Sequence, residues 1–118
     1  KLTEREFFYI YNQVFQNPNQ EIVNFLLQCR KTGYQIGILS NVDRSNFYFL
    51  REKHNWFGSV DKFSTSFKVK YLKPDYRPFR VIEKKLDIKG KEIFYLDDQP
   101  SNLDTAEKRG WYTHLVEP

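Results

Sequence analysis

From residue 35 to its end the chain alternates short apolar runs with longer amphipathic stretches, joined by only a few residues each. Residues 35–39, 63–67, 93–96 and 113–116 read as strands. Between them, residues 43–54 present Phe47 and Leu50 on one helical face, and Phe79, Ile82 and Leu86 do the same in a helix opened by Pro74 and Pro78. A shorter helix over 101–109 stops at Gly110. Short buried strands separated by amphipathic helices require a parallel sheet covered on both faces, so the class is α/β. Ahead of this rhythm, Ile22, Phe25, Leu26 and Cys29 line one face of a helix that Gly33 ends in a left-handed turn. A first helix is expected over residues 4–15. Thr3 and Glu6 form its capping box, Phe7, Ile10, Tyr11, Val14 and Phe15 recur at helical spacing, and Asn17-Pro18-Asn19 breaks it.

At 118 residues the chain is one domain's worth, burying roughly two thirds of the surface it exposes when unfolded. Its apolar runs span a few residues, so neither a transmembrane helix nor a signal peptide is expected. The single cysteine, Cys29, cannot make an internal disulfide, and packing alone must hold the fold, as suits the cytoplasm. The net charge of +4 suits an anionic ligand. It falls short of a nucleic-acid footprint, because acidic residues and prolines interrupt the basic run from Lys68 to Lys85. A chain that opens Lys1-Leu2-Thr3 with no methionine is expected to continue upstream.

In an open parallel sheet, groups just past the carboxyl ends of the strands meet in one crevice. Three clusters occupy such positions here: Ser40-Asn41, Lys73, and Asp97-Asp98. Adjacent carboxylates at the end of a buried strand repel each other and persist where a cation or a proton compensates them. Mg2+ is the natural answer, since it takes one or two protein carboxylates and completes its shell with water and phosphate oxygens. Each cluster also has a plainer reading: Asp98 as a helix cap, Ser40-Asn41 as another, and Lys73 as a solvated loop lysine. His54 and His114 lack ligand-like spacing, and Cys29 reads as a small core residue. No glycine-rich phosphate loop, Gly-x-Ser-x-Gly elbow or His-Glu-x-x-His motif occurs.

Ile38-Leu39-Ser40-Asn41, then Lys73-Pro74-Asp75, then Phe94-Tyr95-Leu96-Asp97-Asp98-Gln99-Pro100-Ser101-Asn102, followed by Ala106 and Gly110, resembles the haloacid dehalogenase (HAD) superfamily over residues 17–118. The resemblance implies an HAD-like (Rossmann-like) parallel sheet with part of a small helical cap. It implies that Ser40, with Asn41 beside it, and Lys73 bind a phosphoryl group. Asp98 and Asp97 would hold Mg2+, Asp98 foremost, with Asn102 in support. The implied reaction is hydrolysis of a small phosphate monoester through an aspartyl-phosphate, with Lys73 catalytic. A non-catalytic ligand- or protein-binding domain and a haloacid dehalogenase-type hydrolase are the alternatives. The resemblance breaks at the family's first motif, Asp-x-Asp, which bears the nucleophile and is absent here. Residues 1–16 are accordingly expected to be the end of a cap, and 17–118 a core missing its first strand. That strand would lie between those ending at Leu39 and Leu96. An upstream segment or another chain is expected to fill the gap, failing which the fragment would be poorly stable.

Overall fold

The structure, a computed structural model, describes residues 8–11 and 20–116. Five strands form one parallel sheet: β1 (Phe8–Tyr11), β2 (Gln35–Ser40), β3 (Lys62–Thr65), β4 (Ile93–Asp97) and β5 (Tyr112–Leu115), in the order β3-β2-β1-β4-β5. The helices are α1 (Gln20–Lys31), α2 (Arg44–Lys53), the single turn α3 (Ser66–Val69), α4 (Tyr76–Leu86) and α5 (Pro100–Lys108), with 3₁₀ turns at Asn55–Ser59 and Gly90–Glu92.

Strand alternation divides the core into two layers. Ile36, Ile38 and Leu96 pack with Leu26 and Cys29 of α1, and with Phe47 and Leu50 of α2. Leu39, Ile93 and Tyr95 turn the other way, onto Phe79, Ile82 and Leu86 of α4 and Leu103 and Ala106 of α5. This is the period of two expected of a strand, executed on a sheet with helices on both sides. Gly37 lets α4 approach closely: a Cβ there would stand 3.2 Å from Leu86 Cδ1 and 3.4 Å from Ile82 Cδ1.

Two expectations from the sequence are corrected. Phe8–Tyr11 is a strand, although the sequence placed it within a helix over residues 4–15, and it pairs in parallel with β2 and β4. The sheet therefore has no central gap. Aromatic and β-branched residues suit a strand, and an empty slot between β2 and β4 would strand two rows of backbone donors and acceptors in the sheet centre. That requirement outweighs a helical spacing read from a handful of apolar residues. The remainder of the expected helix and cap, residues 1–7 and 12–16, lies outside the described residues. In α1, Val23 is buried, whereas Phe25 is 45% exposed. The remaining elements fall within a few residues of their expected places. The helix around Phe79 ends at Asp87, in the left-handed conformation at φ 58°, before Gly90 is reached. Among the described residues, no helix is long and apolar enough to cross a membrane.

Candidate functional site

The carboxyl ends of β2 and β4 flank β1, whose last residue, Tyr11, is in register with Ile38 on one side and Leu96 on the other. One step further along lie Leu39 and Asp97. The Lys73 ammonium spans these two positions, donating to Leu39 O at 3.1 Å, Asp97 Oδ2 at 3.1 Å and Tyr95 Oη at 3.3 Å. Its side chain is 1% exposed and that of Asp97 is fully buried. This is a desolvated ion pair, with all three N–H donors of the ammonium engaged.

Asp97 is surrounded by donors. Besides Lys73, its Oδ2 accepts from Asn102 Nδ2 at 3.0 Å and from the Tyr95 hydroxyl in a short contact, and its Oδ1 accepts from the Gln99 backbone N–H at 2.8 Å. Burial pushes its pKa up. The Lys73 charge and these hydrogen bonds outweigh that, leaving the carboxyl below its usual range. Burial also lowers Lys73, to about 8, against the opposing pull of Asp97. Asp98, half-buried beside this pair, is raised by burial and by its contact with the Asp97 carboxylate.

The loop carrying Lys73 is fixed at several points. Asn41 accepts from the Lys73 backbone N–H at 2.9 Å through Oδ1, and donates to the Lys73 carbonyl at 3.2 Å through Nδ2. Its amide thus grips the Lys73 backbone at both the N–H and the carbonyl. Thr105 of α5 donates to Pro74 O at 2.7 Å, and the Lys73–Pro74 peptide is cis. Asp75 caps α4, accepting from the Arg77 N–H at 2.9 Å and from its guanidinium at 2.9 and 2.7 Å. The Arg77 hydrogen bonds hold the Asp75 carboxyl down at about 2. Its folded value lies below the unfolded one, so its contribution to stability is present above pH 4 and is lost as pH falls from about 4 towards 2. Denaturant titrations across this range should show the wild type losing its advantage over an Asp75→Asn variant, whose own stability lacks that component.

Ser40, at the end of β2, is 2% exposed, and its hydroxyl has no hydrogen-bond partner among the described residues. Buried hydroxyls are normally satisfied, so an orphan at this edge is informative. The structure therefore brings Lys73, Asp97 and Asn102 into one contact network at the sheet edge, with Asn41 clamped to the Lys73 backbone and Asp98 adjacent. Tyr95 joins them without having been singled out from sequence. The signal was available, because Tyr95 stands two residues before Asp97 and shares its strand face.

Among the described residues, no three His, Cys, Asp or Glu side chains converge as a metal cage. Asp97 Oδ2 accepts three hydrogen bonds from the protein and Oδ1 accepts one. The half-buried Asp98 carboxylate fits the modest requirement of Mg2+, whose other ligands are commonly water and phosphate oxygens.

A family model described as haloacid dehalogenase-like hydrolase matches residues 3–116. A curated relative, sesquiterpene phosphatase astK of Aspergillus oryzae, is 24% identical over 93 residues, covering 79% of this chain and 47% of the relative. The chain thus spans about half the length of that relative. Among solved structures, an uncharacterized protein from Corynebacterium glutamicum superposes with a TM-score of 0.79 at 22% identity, covering 94% of this chain and 85% of the other. A HAD family enzyme from Bacteroides thetaiotaomicron, in complex with magnesium and inorganic phosphate, gives a TM-score of 0.75 at 22% identity, covering 85% and 53%. At these identities the structural likeness is one of fold.

Proposed function

The chain belongs to the haloacid dehalogenase-like hydrolase family, and from that premise we propose that its site binds the phosphoryl group of a small phosphate monoester for Mg2+-dependent hydrolysis. The observation that carries this reading is the unpartnered, buried Ser40 hydroxyl at the sheet edge where the Lys73 ammonium also ends. A phosphoryl oxygen would supply the missing partner, and the buried cation would stabilise the anion. The phosphatase activity of one relative and the magnesium and phosphate held by a fold neighbour support the same chemistry.

Each residue then has a distinct task. Ser40 binds a phosphoryl oxygen. Lys73, with its donors already engaged, acts through its charge rather than by a direct hydrogen bond, and Asp97 keeps that charge in place. Asn41 is a positioning residue for Lys73, and Asn102 and Tyr95 position Asp97. Asp98 would hold Mg2+, whose contribution is to neutralise charge on the transferring group. An aspartyl-phosphate route also needs an attacking carboxylate, and residues 12–20, which follow β1, contain neither Asp nor Glu.

That same absence favours a second reading, a non-catalytic member that binds a phosphorylated ligand without cleaving it. Calorimetry tests the common core of both. Inorganic phosphate should bind, and Ser40→Ala should weaken it about tenfold or more, the worth of a hydrogen bond to a charged group. No binding, or equal binding by the variant, would remove the reading. Release of phosphate from an aryl phosphate with Mg2+ then separates the enzyme from the binding domain.

A further inference from the structure

Beside the phosphoryl site, the segment following β2 and the segment running through α3 border an open cavity of about 460 Å³, within the volume range of small-molecule pockets. Val42, Phe67, Tyr71 and Leu72 supply its apolar wall, and Asn41, Asp43, Ser66 and Lys70 complete the lining. Three of the four polar residues already make hydrogen bonds within the protein. The Asn41 amide is clamped on the Lys73 backbone. Both Asp43 carboxylate oxygens accept from Asn46, at 2.8 and 2.9 Å. The Ser66 hydroxyl accepts from the Val42 N–H at 2.9 Å and donates to the Val42 carbonyl at 3.1 Å. The apolar wall is the larger part of the accessible lining, and it suits a hydrocarbon better than the hydroxyls of a sugar or a polyol.

The apolar side, by contrast, is open. Leu72 is 62% exposed and Tyr71 is 41% exposed, immediately before a lysine that is almost fully enclosed. Tyr71 is held in place by the Arg77 guanidinium, 3.5 Å from its ring centroid. Arg77 is itself fixed by Asp75, so the aromatic wall is set before any ligand arrives.

We propose that this cavity takes the organic group of the phosphate ester, and that this group is a hydrocarbon chain. The substrate class is then an amphiphilic monoalkyl phosphate, with its phosphoryl head at Ser40 and its chain along Val42, Phe67, Tyr71 and Leu72. Asn41 joins the two halves, since it lines the cavity and also positions Lys73. Lys70, the remaining polar lining residue, suits a ligand that is anionic at one end.

The inference rests on the phosphoryl-site reading, and a binding series separates the two. Affinities of the 118-residue chain for inorganic phosphate, glycerol phosphate, butyl phosphate and octyl phosphate are measured by calorimetry. Affinity should rise about twofold per methylene from butyl to octyl, as for a chain half removed from water, and butyl phosphate should bind more tightly than glycerol phosphate. In Leu72→Asn the gain from butyl to octyl should shrink severalfold. Phosphate binding without chain-length dependence, equal affinity for the glycerol and butyl esters, or an unchanged gain in Leu72→Asn would overturn the hydrocarbon pocket and leave the phosphoryl site standing. If inorganic phosphate does not bind at all, the phosphoryl site fails and this inference falls with it.

Discussion

Replacing Lys73 with alanine should lower the unfolding free energy by about 3–5 kcal/mol, because it leaves the Asp97 carboxylate buried without a counter-charge. The lower part of that range is expected. Asp97 retains the Tyr95 hydroxyl, the Asn102 amide and the Gln99 N–H after the change, and these distribute its charge. Asp97→Ala should be similarly costly, since it strands a buried ammonium. Removing both charges in Lys73→Met/Asp97→Leu should recover part of the loss, because no buried charge is left unpaired, while the Tyr95 hydroxyl, the Asn102 amide and the Gln99 N–H still lose their acceptor. Urea unfolding of the wild type, Lys73→Met, Asp97→Leu and the double variant checks the cycle, and additive losses in the double variant would mean that the two groups do not act as a pair. The pH dependence carries its own sign. Lys73 in the folded protein titrates near 8, below its ordinary 10.5, so between these values the unfolded chain binds more protons than the native one. Stability therefore gains from this group as pH rises through that window, and Lys73→Met should lack the gain.

The second large effect concerns chemistry rather than stability. Asp98→Asn should remove the Mg2+ dependence of phosphate binding and lower Mg2+-supported hydrolysis of an aryl phosphate by about 10²-fold or more, the scale seen when electrostatic stabilisation of a transition state is lost. The fold should tolerate it, because Asp98 is half-buried and stands outside the Lys73–Asp97 pair. Circular dichroism and urea unfolding close to wild type, with Mg2+ titrations flat in the variant, would separate Asp98 from Asp97. A variant that still binds phosphate more tightly with Mg2+ would move the metal away from Asp98.

The resemblance put Asp98 foremost as the metal ligand, whereas the partner that compensates Asp97 was not readable beforehand. Adjacent carboxylates after an apolar strand mark a place where charge must be compensated, but they do not say which partner compensates which. The strand pleat decides it: Asp97 lies on the face of Tyr95, beneath Lys73, and its Oδ2 accepts from Lys73, Tyr95 and Asn102. Asn41 follows the same logic. Its amide at a strand end suits an anion as readily as a helix cap, and only the folded loop shows that it grips a residue 32 positions away. Val23 rather than Phe25 is buried because the buried face of α1 is turned towards Val23, a rotation that residue spacing alone does not fix.

The sequence by itself determined the class and the edge of the sheet where the site lies. Alternating buried strands and amphipathic helices admit few arrangements other than a covered parallel sheet, and such a sheet gathers its polar strand ends into one crevice. The tertiary structure alone decided that Phe8–Tyr11 fills the centre of that sheet, since two neighbouring strands needed partners that helical periodicity could not reveal. It also decided that Lys73, 24 residues from Asp97 along the chain, is its buried counter-ion. Both outcomes are set by long-range satisfaction of backbone and charge, which local pattern does not encode.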